Sequence, residues 1–153
     1  QALAASCMKN GLEVLTGGTD NHLLLINVHQ AGLTGRQAES ALNECHITLN
    51  RNSLPFDPNG PWYTAGLRLG TAAVTSLGMG KTEMEEIGSI IALVIKGTSQ
   101  DADKKNPSVK SKAKYLIEPA VKTEALKRTE KLLDRFPVYP ELDLSLLKEA
   151  FVN

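Results

Sequence analysis

No apolar run in the sequence approaches the roughly 20 residues that a membrane-spanning helix needs, so no membrane role is expected. Net charge is absent as well. The 17 Lys and Arg balance the 17 Asp and Glu, so no overall field draws in nucleic acid or anionic lipid. Only two cysteines occur, Cys7 and Cys45. They are too few for a disulfide framework and suit a reducing, intracellular setting. With His22, His29 and His46 they lack the CxxC or HExxH spacing of a zinc site, so no metal is expected. A GxSxG nucleophile elbow is missing. The glycine-rich TGGTDNH segment has neither Rossmann nor P-loop spacing. No internal repeat is visible.

What remains is ordinary in amount. Hydrophobic residues make up 42% and charged residues 22% of the 153, enough for one globular domain with a real core. The chain begins at Gln1 rather than at a methionine, and its first residues, QALAASCMKN, read as helix from the first position. A cut within a helix, and hence a fragment of a longer protein, is the expectation.

Along the chain, Asn10-Gly11 stops that helix. EVLT (13–16) is a short strand candidate. Turn formers crowd residues 16–21, and LLLINV (23–28) is a continuous apolar strand whose two faces are both expected to be covered. Thr34 and Gln37 have capping-box spacing, and Ala38, Ala41, Leu42 and Cys45 share one helical face. HITLN (46–50) reads as a strand. Pro55, Pro58 and Pro61 stiffen a loop over 51–62. Residues 65–71 alternate as a strand, with Leu67 and Leu69 on one side and Arg68 on the other. Thr82 and Glu85 predict a second capping box, with a buried stripe of Met84, Ile87, Ile91 and Val94. Residues 98–114 are polar, Lys-rich and aperiodic, and read as an exposed loop. A last helix starts near Pro119, carries Leu126, Thr129, Leu132, Leu133 and Phe136 inward, and ends at Pro137. This order predicts an α+β two-layer domain, a small sheet with helices on one face.

Arg68 is the foremost candidate residue. A guanidinium cannot shed its proton to escape burial, and its planar fork matches a carboxylate in two parallel hydrogen bonds. Flanking glycines would let a ligand reach the backbone. It is either an anion-binding arginine at a cleft or a structural one paired with Asp20, Asp57 or a more distant acid. Asn50, Asn52 and Ser53 follow. Their amides can donate and accept at once, which suits a heterocycle edge, and they suit turn chemistry equally. TGGTDNH reads as a tight turn before a buried strand, with His22 hydrogen-bonded near the core. Glu83, Glu85 and Glu86 sit where negative charge suits a helix start. With few aromatics interleaved, the lysines of 104–114 read as solvated rather than as a nucleic-acid surface.

Taken together, GGTDNH, LTGRQAE, ITLNRNSLPFDP, TAGLRLGTAAVT and RFPVYP resemble the C-terminal small domain of serine hydroxymethyltransferase. Order and separations match from about residue 11 to 97 and again near 119–140. The resemblance implies the small, mainly antiparallel sheet of fold-type I pyridoxal-phosphate enzymes. It implies an enzyme that interconverts serine and glycine, using pyridoxal 5′-phosphate and tetrahydrofolate. By the same resemblance Arg68 binds the substrate α-carboxylate, Asn52 contacts the pterin ring, and Trp62 borders the ligand. No residue of this fragment is expected to be catalytic. The cofactor lysine of the family follows a threonine run that this sequence lacks, so it would belong to the N-terminal large domain, and the fragment alone is expected to be inactive. Residues 1–10 would end the interdomain helix, and 11–153 would form the small domain, with a Lys-rich insertion at about 98–118. The intact enzyme would be a cytoplasmic homodimer or tetramer, an organellar leader being left open. Ala65, Ala72 and Phe56 depart from the usual serine, proline and asparagine. Two other readings compete, a non-catalytic binding module of the same fold and the small domain of another pyridoxal-phosphate transferase.

Overall fold

In LLLIN and GLRLG every second side chain is large and apolar, and that period of two builds the centre of a sheet. The computed structural model describes residues 1–103 and 106–142. In it β2 (Leu23–Asn27) pairs antiparallel with β4 (Gly66–Gly70), setting Leu24 against Leu69, Leu25 against Arg68 and Ile26 against Leu67. The short β1 (Glu13–Val14) lines the free edge of β2, and β3 (Asn50–Asn52) lines that of β4. The order is β1-β2-β4-β3, antiparallel throughout.

Leu24, Ile26, Leu67 and Leu69 are buried, whereas Leu23 and Arg68 are exposed and Leu25 is half-buried. The expectation that LLLINV is covered on both faces is therefore corrected. Among the described residues helices cover one face only. Leu3, Ala4 and Cys7 of α1 (Ala2–Lys9), Ala38, Ala41 and Leu42 of α2 (Gly35–Asn43) and Met84, Ile91 and Val94 of α5 (Lys81–Lys96) join the sheet residues in one core. Ala125 and Leu132 of α6 (Pro119–Arg135) complete it. The two-layer α+β architecture is the one expected. Among the described residues no helix is long and apolar enough to cross a membrane.

Local chemistry sets the element ends. At α2 the capping box forms as expected. The Thr34 N–H donates to Gln37 Oε1 at 2.9 Å, and the Gln37 N–H to Thr34 Oγ1 at 3.2 Å. HITLN is not a strand, because it closes that helix. His46 N–H bonds to the Asn43 carbonyl and Ile47 N–H to that of Leu42, a Schellman closure. His46 takes φ +61, the place glycine usually fills. The strand begins at Asn50 instead. At α5 the cap lies two residues earlier than Thr82–Glu85, since Glu83 Oε2 accepts the Gly80 N–H at 2.9 Å. In α6, Leu133 is exposed and Ala125 takes the inward place expected for Leu126, which is half-buried.

The polar stretch 98–114 is also corrected. It contributes to a hairpin, β5 (Thr98–Ala102) with β6 (Lys110–Ile117), irregular between Gln100 and Ala102. The buried Gln37 amide donates to the carbonyls of Ser111 and Lys114, both at 2.7 Å, and Thr34 Oγ1 donates to that of Lys112 at 2.8 Å. These bonds pin the hairpin to the start of α2.

Between β3 and β4, Asp57 organises the proline loop. Its carboxylate accepts N–H bonds from Asn59 at 2.8 Å, Leu54 at 3.1 Å and Ala65 at 2.7 Å. The loop contains a helical turn, α3 (Gly60–Tyr63), and seats Leu54 against Gly66. A Cβ on Gly66 would lie 2.7 Å from Leu54 Cγ and 2.8 Å from the Asn52 carbonyl oxygen. Gly66→Ala is accordingly expected to lower the unfolding free energy by about 1–3 kcal/mol in urea titrations. Burial pushes the Asp57 carboxyl up, but its three N–H bonds and the nearby His29 outweigh this and hold it below the usual range. A depressed carboxyl stabilises the fold above its ordinary pKa, and that contribution fades as pH falls. The stability gap between wild type and Asp57→Asn should be full at neutral pH and should shrink below about pH 4 in thermal melts.

Candidate functional site

The helix-free face of the sheet carries its polar side chains. Arg68 lies between Leu25 and Asn50 in the ladder, and Gly66 lies between Asn27 and Asn52. With side chains alternating, Leu25, Asn27, Asn50, Asn52 and Arg68 share this face. A cleft of about 600 Å³ opens on it. Leu23, Leu24, Leu25, Asn52 and Arg68 line one part and the turn of Thr16, Gly18, Thr19, Asp20 and Asn21 the other.

That turn is built by its own hydroxyls and amides. Thr16 Oγ1 donates to the Gly18 carbonyl at 2.6 Å, Thr19 Oγ1 to that of Leu23 at 2.5 Å, and Asn21 Oδ1 accepts the Leu23 N–H at 2.7 Å. Gly17 holds φ +67, which suits glycine alone at no steric cost. The sequence was legible here only as a turn, and the structure makes it a wall of the cleft. His22 is exposed rather than near the core.

Arg68 is exposed, and its Nε donates to Asn50 Oδ1 at 3.2 Å. Among the described residues the ion pairs join Arg51 to Glu39, Lys122 to Glu44, Arg128 to Glu86 and Arg135 to Glu83, and none involves Arg68. Asp57 is committed to its loop, and Asp20 lines the same cleft without an ion pair to the guanidinium. Asn52 is half-buried, with Nδ2 donating to the Ser53 carbonyl at 2.7 Å. Arg68 and Asn52 are thus brought to one cleft.

The glycines beside Arg68 have internal duties. Gly66 makes room for Leu54, and Gly70 faces Leu23, whose Cδ2 would stand 3.2 Å from an added Cβ. Trp62 does not line the cleft. Its exposed ring has the guanidinium groups of Arg36 and Arg51 over it, at 5.4 and 5.8 Å from the centroid. Phe56 is fully exposed at φ +57, a region asparagine enters far more readily than phenylalanine. Asn50, which the sequence marks only as a turn or heterocycle candidate, is the direct partner of Arg68. The β3–β4 pairing reveals this, and no motif does.

The lining offers one guanidinium, the Asp20 carboxylate, amides and hydroxyls, with no lysine, cysteine or histidine among them. Within such a set, Arg68 is the one group chemically suited to pair with a carboxylate. Burial pushes the Cys7 thiol up to about 12 and raises that of Cys45, so neither acts as a nucleophile at neutral pH. Among the described residues no group of three or more His, Cys, Asp or Glu comes together to hold a metal.

Comparison with known proteins adds an independent line. The serine hydroxymethyltransferase family model matches residues 1–91. Serine hydroxymethyltransferase of Treponema pallidum is 51% identical over 153 residues, all of this chain and 26% of the relative. That of Salinispora tropica is 47% identical over 144 residues, 94% of this chain and 30% of the relative. That of Chlamydia muridarum is 46% identical over 147 residues, 96% of this chain and 29% of the relative. The chain therefore spans between about a quarter and a third of these relatives' length. The match runs through the strands and turns that form the cleft, and on these grounds the chain belongs to the serine hydroxymethyltransferase family.

Proposed function

We propose that this chain is the C-terminal small domain of an enzyme that interconverts serine and glycine, with transfer of a one-carbon unit to or from tetrahydrofolate. The observation that carries this reading is Arg68, a guanidinium on the open face of the sheet that makes no ion pair among the described residues. An amino-acid substrate brings the missing carboxylate. Two parallel N–H bonds from the guanidinium would hold it bidentately and fix its rotation, which sets the bond at the α-carbon that is presented for reaction. Positioning of this kind contributes several kcal/mol to rate enhancement.

Asn52 stands opposite Gly66, one strand repeat from the row in which Arg68 pairs with Asn50, about 7 Å along the ladder. Its amide can donate to and accept from the edge of a pterin. One open face would in this way place carboxylate and folate side by side. The half-buried Leu25 and exposed Leu23 on the same face suit cover by the large domain.

Pyridoxal 5′-phosphate, when bound, supplies the electron sink at the substrate's α-carbon. The cleft contains an anion anchor and amides but no amine, so its residues fit the substrate end of such a site. The cofactor lysine would come from the large domain. On this reading residues 1–10 end the interdomain helix and the fragment alone is inactive. The complete enzyme is a cytoplasmic homodimer or tetramer. The binding-module reading and the other-transferase reading gain no support from relatives that all carry the serine hydroxymethyltransferase name.

In the complete enzyme, Arg68→Ala is expected to raise the KM for serine and to cut kcat/KM roughly a hundredfold. Arg68→Lys should recover little, because a point charge lacks the paired fork. Steady-state kinetics check both, and unchanged serine kinetics contradict the role. Asn52→Ala should cost roughly tenfold in the folate-dependent reaction and leave folate-independent aldol cleavage near wild type. Equal losses in the two assays would remove the pterin contact.

A further inference from the structure

Arg68 has two edges that can meet a carboxylate in a bidentate way. One is formed by Nε and one Nη, the other by the two Nη groups. The Nε–H is already engaged, donating to Asn50 Oδ1 at 3.2 Å. Asn50 is the direct ladder partner of Arg68, so the two side chains leave neighbouring strands on the same face. The Asn50 amide is itself oriented, since Nδ2 donates to the Arg51 carbonyl at 3.0 Å and thereby turns Oδ1 to the guanidinium. Arg68 lines the cleft and Asn50 does not. A neutral acceptor therefore stands beside the arginine on the neighbouring strand, outside the residues that line the cleft.

We infer that Asn50 is a positioning residue for Arg68. It blocks the Nε edge and turns the Nη pair toward the cleft, selecting an end-on grip on the substrate carboxylate. The inference deepens the proposed role of Arg68 and rests on it. Chemistry favours an amide over an acid here. A carboxylate at position 50 would form a charged pair with the guanidinium and compete with the substrate, whereas an amide oxygen steers the group and leaves its charge available. Removing the acceptor frees a flexible side chain, and the substrate must then bear the cost of ordering it.

The test uses the complete enzyme, with serine kcat/KM and the glycine dissociation constant as readouts. Asn50→Ala is expected to weaken glycine binding roughly tenfold. Asn50→Asp, close in shape to the native residue, should weaken it at least as much. In the Arg68→Ala background, Asn50→Ala should have no further effect on serine kcat/KM, a coupling that a merely structural role would not produce. Unchanged glycine binding in Asn50→Ala, improved binding in Asn50→Asp, or an undiminished loss in the double variant would overturn the inference. Failure of the parent reading shows separately, as an Arg68→Ala enzyme that binds glycine like wild type.

Discussion

The structure depends on a sheet that is covered by helices on one side only. With a side-chain period of two, that single fact sorts β2 and β4 into a buried set, Leu24, Ile26, Leu67 and Leu69, and an outward set that includes Leu25 and Arg68. A slip of one residue in register would turn the guanidinium into the core and the leucines out. Burying a charge that cannot be neutralised costs several kcal/mol, and losing the leucine contacts adds to it. The register of the sheet and the exposure of Arg68 therefore follow from the same alternation. Arg68 is where it is because its neighbours cannot be anywhere else.

The remaining parts of the site hang on that face. The Thr16–Asn21 turn makes the far wall through short hydroxyl and amide bonds, and the Asp57 carboxylate gathers three N–H groups to shape the loop that seats Leu54 on Gly66. Gln37 does comparable work at a distance, tying the β5–β6 hairpin to α2 through carbonyl groups. Each is a polar side chain whose partners are mostly backbone groups. Such contacts specify one arrangement of loops where apolar packing alone would tolerate several.

The parts of this molecule legible in the sequence were those with local causes. The Thr34–Gln37 box, the leucine alternation around Arg68 and the Pro119 helix start are all set by near neighbours in the chain. HITLN failed because His46 adopts a left-handed turn that glycine usually announces, so the helix end carried no signal. The hairpin after α5 was invisible for a different reason. Residues 98–102 and 110–114 of its strands carry almost no apolar side chains, and they are tied down by Thr34 and Gln37, more than 70 residues from their partners in sequence. Arg68 and Asn52 stood out as candidates from residue type and resemblance. Their common cleft, and the hold of Asn50 on Arg68, required the pairing of β3 with β4.

The most direct measurement is a crystal structure of the complete enzyme with its cofactor and glycine bound. This account predicts both glycine carboxylate oxygens on the Nη groups of Arg68, with Nε still donating to Asn50. A structure in which Arg68 is closed onto an acidic side chain of the large domain, and another cation holds the glycine carboxylate, would contradict it.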